Sequence, residues 1–130
     1  MKVIYKIIAL VVLVGGALLL SQGLSDIREI ETAEDLRMKK WIWTESSKFG
    51  LTFNSDGQLD IDTDCNNMSS TYTVEGERLI LGRISTTLMA CNNSREGEFS
   101  ASLIKTERYT FTSSGELVLH LSDGSSLMFR

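Results

Sequence analysis

Residues 116–129 read ELVLHLSDGSSLMF, and this stretch decides the fold of the chain. In its first half leucine occupies every second position, with Val118 and His120 between the leucines. Because successive side chains of a β-strand point to opposite faces, the leucines share one face, and we expect that face to be buried. Gly124 then ends a Ser-Asp-Gly turn, and glycine readily takes the positive φ that tight hairpins need. The stretch therefore predicts a β-hairpin with one buried face.

The same pattern continues upstream as far as Trp41. Short runs rich in β-branched and aromatic residues are separated by turns that contain glycine, at residues 55–57, 75–77 and 113–115. We predict strands at residues 41–44, 51–53, 58–64, 70–74, 79–81, 109–111, 116–121 and 126–129.

One segment, residues 96–105, departs from this pattern. Phe99, Leu103 and Ile104 recur there at helical spacing after acidic residues that suit a helix N-terminus. The fold class predicted is α+β and mostly antiparallel β. We expect a small β-rich domain or half-open barrel with one packed helix, preceded by an N-terminal hydrophobic helix.

The N-terminus has the layout of a secretory signal. Lys2 and Lys6 precede an apolar run at residues 7–20, and small or polar residues follow at 21–23. As a helix the run would be about 21 Å long, short of the ~30 Å that a membrane span requires. We therefore predict a signal peptide at residues 1–23, with an uncleaved single-pass anchor as the alternative.

Either outcome places the rest of the chain outside the inner membrane, because the lysines stay on the cytoplasmic side. Residues 24–37 are charge-dense and are predicted to be a linker or short helix, with Thr32 as N-cap and Asp35 completing a capping box. The folded domain is predicted at residues 38–130. No cysteine precedes Cys65, so a lipoprotein is not expected.

The net charge argues against nucleic-acid binding. Residues 24–130 retain all 17 acidic residues but only 11 of the 13 basic ones, which gives a net charge of −6. Such a surface repels nucleic acid, and the sequence has no basic run.

Several stretches resemble one known family. LTFNSDG at residues 51–57, Asp64-Cys65-Asn66 and YTVEGERL at residues 72–79 are similar to the first half of the META domain, or HslJ-like, family. STTLMAC at residues 85–91 is similar to its second hallmark. The resemblance covers about residues 38–130, although Asp64 and residues 69–71 stand where the family usually has glycine.

The resemblance implies a small β-rich domain of envelope or secreted proteins, associated with stress or drug tolerance. It implies no reaction and no cofactor. Mainly structural roles are implied for the motif positions Cys65, Asn66, Tyr72, Thr87, Met89 and Cys91, with Ala90 as a further position of the motif.

Cys65 and Cys91 are the two cysteines of the chain. In an oxidising compartment such a pair is first a disulfide candidate, which would close a loop of about 27 residues and stabilise the fold by about 3.5 kcal/mol. Two buried free thiols, or a reactive or metal-binding pair, are the alternatives.

Other candidate groups have simpler explanations. Asp60, Asp62 and Asp64 lack the glycine and glutamate of a calcium loop, so a solvated strand face is favoured over weak cation binding. His120 is predicted on the solvent side of its strand. No serine lies in a Gly-x-Ser-x-Gly elbow, which makes a hydrolase an unfavoured hypothesis.

Trp41 and Trp43 lie two residues apart and should share one face of a strand. Core packing is the favoured explanation, with an aromatic binding surface as the alternative.

The sequence thus predicts an exported, non-catalytic binding or structural module of the bacterial envelope. It would be periplasmic, or anchored in the inner membrane with its domain facing the periplasm. Its partner would be an envelope component or another protein, and it would touch the membrane only through an uncleaved N-terminal segment. The alternative is a periplasmic metal-handling or thiol-redox protein that uses Cys65, Cys91 and His120.

Overall fold

A computed structural model describes residues 34–130 of the chain. The predicted leader, most of the predicted linker and the proposed N-cap Thr32 lie outside the described residues. A helical turn at residues 34–37 comes first, and its Leu36 is fully buried in the core. Among the residues that the structure describes, no helix is long and apolar enough to cross a membrane.

Nine strands and one helix follow in the described region. Their bounds are β1 Trp41–Ile42, β2 Gly50–Phe53, β3 Gln58–Asp62, β4 Asn67–Glu75, β5 Arg78–Leu81, β6 Ser85–Thr86, α1 Glu96–Leu103, β7 Thr106–Phe111, β8 Leu117–Leu121 and β9 Ser126–Phe129.

The strands form one antiparallel sheet in the order β1-β2-β3-β4-β5-β7-β8-β9, with β6 paired to β4. The sheet closes on itself, because the N–H of Ile42 donates to the carbonyl of Arg130 at 2.9 Å and the N–H of Arg130 donates back at 2.8 Å. Trp43 and Phe129 form the next bridge along this line. The predicted antiparallel α+β fold with one packed helix is confirmed, and the barrel is nearly closed.

The deciding hairpin is present as predicted. Leu117, Leu119 and Leu121 are buried, whereas Val118 and His120 are half-buried on the other face. Glycines occupy positive φ in all of the predicted turns, at Gly57, Gly76, Gly115 and Gly124.

Helix α1 packs against the core of the barrel. Its Phe99 and Leu103 are fully buried. The Phe99 ring lies 5.0 Å from that of Trp43 and 4.9 Å from that of Phe49, measured between centroids. Trp41, 3% exposed, also lies in the core, so core packing of both tryptophans is confirmed.

Several predicted bounds were wrong for physical reasons. The strand predicted at residues 58–64 ends at Asp62, because the chain turns there and Asp64 bonds to the start of α1. The strand predicted at 70–74 extends over Asn67–Glu75, since polar residues at its start pair with β3 and β6. Strand β6 was missed because both of its residues are exposed and polar, so no alternation reveals it.

The edges of other elements also shifted. The strand predicted at 41–44 is confined to Trp41–Ile42, the one predicted at 109–111 begins at Thr106, and the helix predicted at 96–105 ends at Leu103.

Candidate functional site

All of the motif residues except Tyr72 meet around one exposed loop, residues 87–91, which we call the cystine loop. Its last residue, Cys91, forms a disulfide with Cys65, which follows the end of β3, and the two Cα atoms are 5.9 Å apart. The predicted disulfide is therefore present, and neither cysteine is a free thiol.

The side chain of Asn66 holds the cystine loop through hydrogen bonds. Its side chain is 6% exposed, and its carboxamide oxygen accepts hydrogen bonds from the Thr87 hydroxyl at 2.9 Å and the Met89 N–H at 2.7 Å. Its amide nitrogen donates to the Met89 carbonyl at 3.1 Å and to Glu96 Oε1 at 2.8 Å. Both lone pairs and both N–H groups are thus used, a set that only an amide of this size can supply.

Glu96, the first residue of α1, holds the same turn from the helix side. Its Oε2 accepts from the Asn66 backbone N–H at 2.6 Å and from the Thr63 hydroxyl at 2.7 Å. Burial would raise the pKa of Glu96, but the hydrogen bonds from Asn66 and Thr63 outweigh it and lower the pKa below its usual 4.5. The carboxylate is therefore ionised at neutral pH and acts as an acceptor only.

Asp64 also bonds to the start of helix α1. It accepts hydrogen bonds from the Ser94 hydroxyl and, at 3.2 Å, from the Arg95 N–H. The bond from Ser94 is the main cause that lowers the pKa of Asp64. The predicted strand face of three aspartates is thus wrong for Asp64, because its carboxylate accepts the Arg95 N–H and the Ser94 hydroxyl at the start of the helix.

The other two aspartates remain on the strand. Asp60 accepts from Asn54 at 2.9 Å, and Asp62 forms an ion pair with Lys40. Each carboxylate therefore has its own local partner.

The outer side of the cystine loop is apolar and faces solvent. Leu88 is 96% exposed and Met89 62% exposed, while Ala90 and Cys91 are exposed as well. The loop is held by one covalent bond and by Asn66, so these apolar side chains are presented from a fixed backbone.

Tyr72 lies away from this loop. Its hydroxyl donates to the Asn54 carbonyl at 2.5 Å and accepts from Arg37 Nε at 2.9 Å. Its ring packs edge-on against Phe53, with 5.0 Å between centroids. Tyr72 thereby joins the helical turn, strand β4 and the turn after β2.

His120 is not brought to the cysteines. It lies on β8, with Nε2 2.7 Å from the Thr110 hydroxyl, and burial followed by the charge of Arg108 lowers its pKa. Within residues 34–130, no group of three or more His, Cys, Asp or Glu side chains could hold a metal ion.

Sequence reasoning missed the roles of Glu96 and Thr63. Glu96 was assigned only to the acidic first turn of the predicted helix, and its bonds to Asn66 span 30 residues of sequence. Only the polar cluster at residues 63–66, too polar to continue a strand, could have indicated a partner for it.

The structural class is a nearly closed antiparallel barrel with one packed helix and a disulfide-bonded loop beside that helix. The family model that matches the chain is the META domain, over residues 24–130, and the chain belongs to this family.

Two solved structures are similar in fold. One is the NMR structure of a protein from Burkholderia xenovorans, with a TM-score of 0.54 and 22% identity over 70% of this chain and 76% of that one. The other is the crystal structure of a DUF4847 family protein from Bacteroides vulgatus, with a TM-score of 0.52 and 18% identity over 63% of this chain and 57% of that one. No curated protein sequence matches this chain.

Proposed function

We propose that this protein is a non-catalytic module exported to the bacterial envelope, where it binds a partner or stabilises an envelope component, with a role in envelope stress or drug tolerance. The observation that carries the proposal is the Cys65–Cys91 disulfide. Disulfides persist in the periplasm and are rare in the cytosol, where thiols are kept reduced. A basic start followed by an apolar run at residues 7–20 supports export independently.

The carboxylates of the domain favour binding over catalysis. The carboxyl groups with shifted pKa values, those of Asp64, Glu96, Glu98 and Asp123, are all shifted downward. A general acid at neutral pH needs an upward shift. None of them lines either of two grooves in the described region, which lie between β5 and β7 and beside Trp41.

Thiol and metal counting on the purified protein tests the proposal against the metal-handling or redox alternative. We expect no free thiol before reduction, two after reduction in denaturant, and no stoichiometric metal. Zinc or copper bound at one equivalent, or two thiols that react without reduction, would favour the alternative.

A further inference from the structure

The two sulfurs of the disulfide lie in different surroundings. Cys91 is exposed, whereas Cys65 is half-buried. The Cys65 Sγ atom lies 3.5 Å from the Met89 carbonyl oxygen and 3.5 Å from the Asn66 Nδ2 atom. A thiolate that opens a disulfide must reach one of its sulfurs, so access decides which sulfur is attacked. Cys91 is therefore the sulfur that a thiolate from solvent can reach.

Asn66 also favours Cys65 as the sulfur that leaves. In thiol–disulfide exchange the electron pair of the S–S bond moves to the sulfur that is not attacked, and a more stable departing thiolate leaves faster. The Asn66 Nδ2 atom carries the N–H donors of the side chain and lies within hydrogen-bond distance of Cys65 Sγ. Attack on Cys91 thus releases a sulfur that already has a donor beside it.

Opening the disulfide does not require the cystine loop to unfold. The Met89 N–H, the Met89 carbonyl and the Thr87 hydroxyl all bond to the Asn66 side chain, and none of these bonds involves a sulfur. After it takes up a proton, the Cys65 thiol can donate to the Met89 carbonyl oxygen, 3.5 Å from its Sγ. Cys91 is two residues beyond Met89 and stays beside its partner, so the disulfide can form again.

Three apolar residues, 88–90, lead directly to Cys91. Leu88 is 96% exposed, Met89 is 62% exposed and Ala90 is exposed as well. Apolar side chains grouped on a surface mark a place of contact with another molecule. A protein that carries a reactive cysteine must lie against these residues to reach Cys91, whereas a small thiol does not need to. The patch therefore suits a partner that exchanges thiols with the disulfide.

We propose that the cystine loop is the docking and exchange site of a Cys-x-x-Cys thiol oxidoreductase of the envelope, with Cys91 as the sulfur that forms the mixed disulfide. This inference rests on the proposed binding function and names the chemistry of the partner. The domain is the substrate of the oxidoreductase and not a redox enzyme itself.

The exchange has two steps. The first thiolate of the partner attacks Cys91 Sγ, the Cys65–Cys91 bond breaks, and Cys65 leaves with the electron pair and takes a proton from water. The second thiolate of the partner then attacks the partner's own sulfur in the mixed disulfide, and Cys91 leaves as a thiolate and is protonated. The dithiol of the partner is oxidised and the cystine is reduced. The reverse sequence, with an oxidised partner, restores the disulfide.

Thiol trapping on the oxidised chain, isolated from the envelope of cells that express it in full, tests which sulfur is attacked. The probes are reduced glutathione, a small monothiol, and thioredoxin with its second active-site cysteine replaced by serine, so that the mixed disulfide persists. Iodoacetamide then alkylates the released cysteine, and mass spectrometry of the peptides locates both products. We expect the probe on Cys91 and the alkyl group on Cys65, in about tenfold excess over the opposite arrangement.

Leu88→Ser tests the docking surface, because this side chain is 96% exposed and its loss leaves the core intact. We expect the variant to react about tenfold more slowly with the thioredoxin probe and to keep its rate with glutathione within about twofold. The matched variant Met38→Ser removes an apolar side chain that is 77% exposed beside Trp41 and should change neither rate.

Attack at Cys65, equal labelling of the two cysteines, or no reaction of the folded chain with either probe would overturn the proposal. An unchanged thioredoxin rate in Leu88→Ser, or an equal loss with both probes, would do the same. Because the trapping uses protein purified in its oxidised form, its failure would leave the proposed export unaffected. Conversely, a reduced chain in the cytosol would contradict the proposed function without changing how the oxidised protein reacts.

Discussion

At the scale of single residues, Asn66 explains why an amide occupies this motif position. An aspartate has the same shape but cannot donate the two hydrogen bonds that Asn66 gives to Met89 and Glu96. It would also place a second negative charge beside the Glu96 carboxylate. The neighbouring Asn67 is exposed and is not held in this way by its side chain.

Asn66→Asp is therefore expected to lower the free energy of unfolding by about 2 kcal/mol, because buried hydrogen-bonding groups lose their partners. The matched variant Asn67→Asp makes the same chemical change at the surface and should stay within about 0.5 kcal/mol of the parent. Urea unfolding of both variants measures the difference. Equal losses for the two would show that charge alone, and not the Asn66 bonds, matters.

At the scale of elements, helix α1 is attached to the sheet by apolar packing and by hydrogen bonds. Phe99 and Leu103 pack into the core, and Glu96 bonds to the turn at residues 63–66. The apolar attachment follows from helical spacing in the sequence. The polar attachment links positions about 30 residues apart, so local patterns could not predict it.

The Glu96 attachment should depend on pH. Since the pKa of Glu96 is lower in the folded state than its usual 4.5, its contribution to stability is present above about that pH and is lost as the pH falls through the folded-state value. Unfolding free energies of the parent and Glu96→Gln, measured at a series of pH values, should differ most near neutrality and converge in acid. A constant difference down to acidic pH would contradict this account.

At the scale of the whole molecule, the hairpins, their turns and the buried faces were predictable because each depends on a pattern of a few consecutive residues. The alternation of Leu117, Leu119 and Leu121 is one example. Closure of the barrel could not be predicted, because it depends on backbone hydrogen bonds that residues 42 and 44 form with residues 130 and 128, and backbone groups carry no sequence signature.

The candidate site could also be predicted only in part, because some of its contacts join residues that are far apart in the sequence. Two cysteines and a predicted export signal sufficed to predict the disulfide, whereas the role of Asn66 came only from resemblance and that of Glu96 was missed.

We propose that the domain is exported and that Cys65 and Cys91 form its disulfide in the oxidising envelope. Intact-mass spectrometry of the protein, isolated separately from envelope and cytosol without reduction, tests this most directly. We predict that the protein is found in the envelope fraction with a mass lower by two hydrogens than that of the reduced chain. A full-length chain in the cytosol with both cysteines reduced would contradict the account.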